Sequence, residues 1–185
     1  MSDAIAISLE SARLDDVAAL VNIEKTCFEI DRMSARNFRH MIKKGNCDFI
    51  VARQQTEIIG YILILYHRGT HLSRLYSVAV MPKVAGQGIG DRLLKQGEFL
   101  AIQRDCIYMR LEVHPNNSAA IRLYENHGYH PFGMISDYYE DHAAALRYQK
   151  RILYWDNQLE FTAIPYYQQT TDFSCGPACL IMAMQ

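Results

Sequence analysis

The chain has 185 residues, half of them hydrophobic, and a formal net charge of −1 at pH 7. This composition supplies one sizeable core, excludes wholesale disorder, and lacks the clustered positive charge of a nucleic-acid footprint. No apolar run reaches membrane length, the start Met1-Ser2-Asp3-Ala4 is not a signal peptide, and five irregularly spaced cysteines fit reduced thiols. A cytoplasmic protein without a membrane partner is the expectation.

Residues 4–9 alternate Ile5, Ile7 and Leu9 with smaller side chains, as a half-buried strand does. Asp15 and Asp16 open an amphipathic helix with Val17, Leu20, Val21, Glu24 and Phe28 at helical spacing. Ser34 caps a second helix that runs to about Lys44 and is closed by Gly45 and Asn46. Strands over 48–53, 57–66 and 71–80 follow, the first two joined by a turn short enough for a hairpin. A glycine-rich turn then leads into a helix over 88–104, in which Ile89, Leu93, Leu94, Phe99, Leu100 and Ala101 largely share one side.

A strand over 107–113 places Ile107, Met109, Leu111 and Val113 on one face and Tyr108, Arg110 and Glu112 on the other. Asn116, Asn117 and Ser118 cap a short helix that Gly128 ends. Two last strands, 129–135 and 144–153, flank an acidic, aromatic loop. The order βααβββαβαββ predicts one mixed α/β (α+β) sheet with helices on both faces and no internal repeat.

The turn reads Gly86-Gln87-Gly88-Ile89-Gly90-Asp91 between a strand and a helix. Backbone N–H groups converge at such a helix N-terminus, and glycine lets an anion approach them closely. Neither the dinucleotide fingerprint nor the Walker A spacing is met. As bare sequence, Glu112 reads as a solvated strand glutamate near Arg110, and Tyr124 as a core aromatic with a wet hydroxyl. Asn117 reads as a helix cap, and Tyr138 and Tyr139 as strand-packing residues of an exposed hairpin.

The glycine turn, Leu111-Glu112-Val113, the spacing of Asn117, Ala120, Leu123 and Tyr124, and Gly128-Tyr129 together resemble the GNAT N-acetyltransferases. The resemblance covers roughly the first 150 residues and is greatest to the RimI group, which acetylates protein N-termini. It implies the acyl-CoA N-acyltransferase fold, acetyl-CoA as co-substrate without a metal, and a protein or peptide N-terminus as acceptor. Pyrophosphate would sit on the N–H groups of Gly86, Gln87, Gly88, Ile89, Gly90 and Asp91. The pantetheine arm would run beside Val78, Ala79 and Val80, and Asn117 would touch CoA.

By the same resemblance Glu112 is the general base and Tyr124 the general acid of a direct attack in a ternary complex. An α-amine with pKa near 8 is roughly a tenth neutral at pH 7, whereas a lysine is neutral about one part in 2,500. A glutamate can serve the former with modest help. Glu24 and Phe28 would form one wall of the acceptor groove, and Tyr138 and Tyr139 the other. Three positions depart from the family's pattern: Ala85 replaces an Arg or Gln, Glu29-Ile30 replaces Pro-Trp, and Ala143-Ala144 replaces Asp-Ala.

After Leu153 the texture changes, which divides the chain into an acetyltransferase domain over 1–153 and a segment over 154–185. There, Gln169 precedes Cys175 by six residues, and the run Asp172-Phe173-Ser174-Cys175-Gly176-Pro177 resembles the opening of a papain-like peptidase of the bacteriocin-leader type. The resemblance implies Gln169 in an oxyanion hole and Cys175 as nucleophile. No His or Asp follows Cys175, so an incomplete start of that domain is expected. The apolar residues Phe173, Leu180, Ile181, Met182 and Met184 predict self-association or docking. Two other functions fit the residues: a non-catalytic CoA-binding module serving a peptidase, and a small-amine or lysine acetyltransferase.

Overall fold

The computed structural model describes residues 6–153. The readings on Gln169, Cys175 and the rest of 154–185 lie outside the described residues. The elements follow the expected order. Strand β1 (Ile7–Ser11) leads through a 3-10 turn (Leu14–Asp16) into α1 (Val17–Cys27), so Asp15 and Asp16 precede the α-helix instead of starting it. Helix α2 (Ala35–Lys44) starts where Ser34 Oγ accepts from the Asn37 N–H at 3.2 Å. Strands β2 (Cys47–Gln54) and β3 (Glu57–Tyr66) form the antiparallel hairpin, with Gln55 in the left-handed region at its tip. Strand β4 (Leu72–Val80) then feeds a 3-10 turn and α3 (Ile89–Gln103). The chain continues through β5 (Tyr108–Val113), α4 (Ser118–Asn126), β6 (His130–Ile135) and β7 (Ala145–Arg151).

One seven-stranded sheet takes the order β1-β2-β3-β4-β5-β7-β6. Only β4 and β5 run parallel, because the α3 crossover between them returns the chain to the same end. Each face carries its own core. Ile62, Val78, Leu93, Leu94, Met109 and Leu111 belong to the cluster under α3 and α4. Leu20, Ile23, Phe38, Phe49, Tyr61 and Ala79 belong to the cluster under α1 and α2. Alternation along β3 and β4 makes this division, since successive side chains enter opposite layers. Gly97 allows α3 to lie close to the sheet, where an added Cβ would stand 2.9 Å from Ile62 Cδ1. Phe99 departs from the expected apolar side and is 54% exposed. At about 100° per residue, Phe99 lies well round the helix from Leu93, which faces the core.

Candidate active site

Two features open the sheet at its centre. Ladder pairs join β4 to β5 only at Leu72, Ser73 and Arg74, which face Tyr108, Met109 and Arg110. Among the described residues, positions 75–80 of β4 have no ladder partner on β5, so the two strands part and leave a wedge. On the other edge β4 stays paired with β3 through Val80, with Tyr76 as the extra residue of a bulge. A bulge increases local twist and re-aims the strand beyond it. Val78, Ala79 and Val80 lie on this diverging stretch, and the Val80 carbonyl also accepts from the Cys27 thiol at 3.5 Å.

The second feature is the turn at the mouth of the wedge. Gly86 and Gly88 have φ of 75° and 72°, in the left-handed region. A Cβ at Gly86 would meet no protein atom within 4 Å. Glycine is therefore demanded by backbone conformation, and the space it leaves is open. Helix α3 begins directly behind, with its first N–H groups free of intrahelical partners. Asp91, in its first turn, is held by His127 Nε2 at 2.8 Å, which ties α3 to the end of α4. Asn117 caps α4 through its side-chain oxygen, which accepts from the Ala120 N–H at 3.1 Å. Its Nδ2 is buried and has no partner among the described residues. An orphaned amide donor, a glycine cradle and a helix N-terminus fit a phosphate-bearing ligand.

Glu112 stands on β5 beside the wedge, its side chain only 7% exposed. It accepts from Arg74 Nε at 2.8 Å, and Arg147 Nε lies at 3.5 Å. Arg110, the neighbour expected from sequence, has its guanidinium over the Phe132 ring. The same Arg74 donates through Nη2 to the Tyr138 hydroxyl at 2.6 Å. One guanidinium thus joins the candidate base to the β6–β7 loop. Sequence reasoning passed over Arg74, although its position on the same strand face as Tyr76 was legible; the pairing of β4 with β5 that brings it to Glu112 was not. Tyr124 is 1% exposed and lies in the α4 core layer, its ring 5.8 Å from that of Tyr129.

The residues assigned to the acceptor walls are less open than expected. Phe28 belongs to the buried cluster under α1, and Tyr139 is buried against Ala145, while Tyr138 is half-buried. Glu24 is 2% exposed, accepts from the Met33 N–H at 2.6 Å, and is hydrogen-bonded by the Tyr61 hydroxyl. Tyr61 in turn meets Ser77 Oγ at 2.7 Å. Glu24 and Phe28 therefore underlie the α1–α2 wall and do not line it; a carboxylate with a backbone donor and a phenol is a buried clamp. Burial pushes the Glu24 carboxyl up to about 7, against the opposing pull of those two hydrogen bonds. Burial also pushes the Cys27 thiol up to about 11, with Glu24 adding to the effect.

Between the α1–α2 and β6–β7 loops stands a polar group absent from the sequence reading. His114 Nε2 meets Asp141 at 3.1 Å, and the His114 ring lies 4.9 Å from that of Tyr139. Asp31 reaches the same loop, accepting a backbone hydrogen bond from Glu140. Burial raises the Asp31 carboxyl, and the charges of Glu140 and Asp141 act in the same direction. Among the described residues no cluster of His, Cys, Asp and Glu is arranged to hold a metal ion. No helix there is long and apolar enough to cross a membrane.

Comparison with known proteins gives this geometry its family. The pattern described as Acetyltransferase (GNAT) family matches residues 17–129. That of the Peptidase_C39 like family matches residues 164–185. The chain is 32% identical over 127 residues to an uncharacterized N-acetyltransferase of Methanocaldococcus jannaschii, covering 68% of this chain and 80% of that one. It is 27% identical over 119 residues to the thialysine N-epsilon-acetyltransferase of Mus musculus, covering 63% and 70%. The fold matches the ribosomal-protein-alanine N-acetyltransferase from Brucella melitensis with a TM-score of 0.69, at 22% identity, over 78% of this chain and 99% of that one. By these matches the chain belongs to the GNAT acetyltransferase family, an acyltransferase.

Proposed function

We propose that the protein transfers an acetyl group from acetyl-CoA to the N-terminal α-amine of a protein or peptide in the cytoplasm, in the manner of the RimI group. The observation that carries the reading is the parting of β4 from β5 beside the two left-handed glycines, with Glu112 on the rim. Bound acetyl-CoA supplies an activated thioester. The N–H groups of residues 86–91 hold its pyrophosphate, and the Asn117 amide donor adds a contact. The backbone of Val78, Ala79 and Val80 lies beside the pantetheine arm. Ala85 contributes no side-chain contact there, a loss of about 1 kcal/mol against an Arg.

Glu112 takes the proton of the incoming ammonium, directly or through one water, while Arg74 and Arg147 hold the carboxylate in one orientation. The Tyr124 hydroxyl gives a proton to the departing sulfur; a phenol near pKa 10 is matched to a thiol near 8.5. Tyr138 and Tyr139 frame the acceptor, and Glu24 and Phe28 support the facing loop from below. The similarity to the thialysine enzyme favours a second reading, in which the acceptor is a side-chain or small-molecule amine. In this account residues 154–185 are a separate peptidase-like segment, supported by the family match over 164–185, and the resemblance assigns Gln169 and Cys175 the roles of oxyanion donor and nucleophile.

The role assignments predict that Glu112→Gln and Tyr124→Phe each slow transfer by about a hundredfold or more, with acetyl-CoA affinity within about twofold of wild type. Thiol release measures the first quantity and calorimetry the second. Wild-type rates in both variants would remove the assignment.

A further inference from the structure

The loop between β6 and β7 is fastened to the rest of the molecule from three directions. Arg74 Nη2 on β4 donates to the Tyr138 hydroxyl at 2.6 Å. The Glu140 N–H donates to the Asp31 carboxylate of the α1–α2 connection, and Ile30 packs beside Tyr139 and Ala145. The third fastening is His114, which directly follows the last residue of β5 and stands two residues beyond Glu112.

The hydrogen bonds of this histidine fix its tautomer. A backbone N–H can only donate, and that of Asn116 meets Nδ1 at 3.1 Å, so Nδ1 is the unprotonated nitrogen. The ring proton therefore sits on Nε2, which donates to Asp141 Oδ2 at 3.1 Å. The His114 side chain is largely buried, and its ring lies 4.9 Å from that of Tyr139. Asp141 accepts with its other oxygen from the Ala143 N–H at 3.0 Å, which closes the tip of the loop. One imidazole thus holds the turn before the Asn117 cap with one nitrogen and the β6–β7 loop with the other.

Charge works against this closure. Asp31, Glu140 and Asp141 bring carboxylates to the meeting of the two loops, and the charges of Glu140 and Asp141 both act on Asp31. Like charges gathered there push the β6–β7 loop away from the α1–α2 wall. His114 acts on Asp31 and on Asp141 in the opposite sense.

We propose that His114 is a positioning residue for acetyl transfer, whose Nε2–H sets the β6–β7 loop in place to hold the acceptor chain near Glu112. The inference rests on that loop framing a peptide acceptor and adds the residue that sets its position. His114 acts through Asp141 and Tyr139 and touches neither the amine nor the thioester.

The test separates the two nitrogens. A glutamine amide extends about as far as Nε2, and an asparagine amide about as far as Nδ1. His114→Gln therefore keeps a donor toward Asp141, while His114→Asn keeps an acceptor for the Asn116 N–H. Full-length proteins are assayed with labelled acetyl-CoA and the peptide that wild type acetylates fastest in a set with varied first residues. The expected acceptor KM is roughly tenfold higher in His114→Asn and in Asp141→Ala, and within about threefold of wild type in His114→Gln. KM for acetyl-CoA is expected to stay within about twofold in all of them. A role in supporting the α4 cap alone predicts the reverse order, with His114→Asn near wild type and His114→Gln impaired, and that order overturns the proposal. An unchanged acceptor KM in Asp141→Ala overturns it as well, and this variant decides if the histidine variants do not fold or do not differ. Either result leaves peptide acetylation standing. Wild-type protein that acetylates polyamines but no peptide overturns the acceptor reading and this inference together.

Discussion

Glu24 is a carboxyl group that folding removes from water and surrounds with two donors, the Met33 N–H and the Tyr61 hydroxyl. Its folded value of about 7 lies above the ordinary 4.5, so the native state binds the extra proton between those two pH values. Stability therefore falls as pH rises from about 4.5 through 7, and the full cost is present above that. At pH 8 the cost is on the order of 3 kcal/mol, taking about 1.36 kcal/mol per pKa unit. Urea unfolding at pH 5 and pH 8 should show the wild type more stable at pH 5, and Glu24→Gln should flatten that slope. An equal slope in both proteins would contradict the clamp. Spacing along α1 placed Glu24 correctly on the buried side of the helix, yet the family resemblance assigned it to a groove wall. What it touches is Tyr61, brought to it over 37 residues by the packing of α1 on the sheet, and Tyr61 in turn meets Ser77 over 16 residues through β3–β4 pairing; neither leaves a local trace. Glu112 shows the same limit: its strand face was legible, while Arg74 and Arg147 as its partners were not.

The turn between β4 and α3 was the most legible element, because glycine spacing and helix patterning are local signals. Two of its three glycines are left-handed and the third is already helical. Helix and strand bounds agree with the reading to within a residue or two over most of the described chain, including the caps at Ser34 and Asn117. The wedge itself was not legible, since it arises where pairing between β4 and β5 stops. At this scale Ala85 provides a gain-of-function test. It is exposed at the end of the 3-10 turn, one residue before the left-handed Gly86. Ala85→Arg should add a charged contact to pyrophosphate worth about 1 kcal/mol, a roughly fivefold lower Kd for acetyl-CoA. Calorimetry showing no change would place the pyrophosphate elsewhere.

At the scale of the whole molecule, two cores flank one sheet that opens at its centre, with the glycine turn at the mouth of the opening and Glu112 beside it. The α3–α4 layer contributes Tyr124, with Asn117 and the glycine turn at the starts of its helices, while Glu24 lies on α1 and the β6–β7 loop packs as a small cluster of its own around Tyr139 and Ala145. Arg74 connects Glu112 on β5 to Tyr138 of the β6–β7 loop. Under the proposed function the thioester lies in the wedge and the acceptor across its rim, which is why the acceptor's identity is the central claim. The most direct measurement is mass spectrometry of peptides, each with a free N-terminus and an internal lysine, after reaction with labelled acetyl-CoA and full-length protein. The account predicts label on the α-amine, lost in Glu112→Gln. Label confined to lysine side chains, or transfer to polyamines alone, would contradict it.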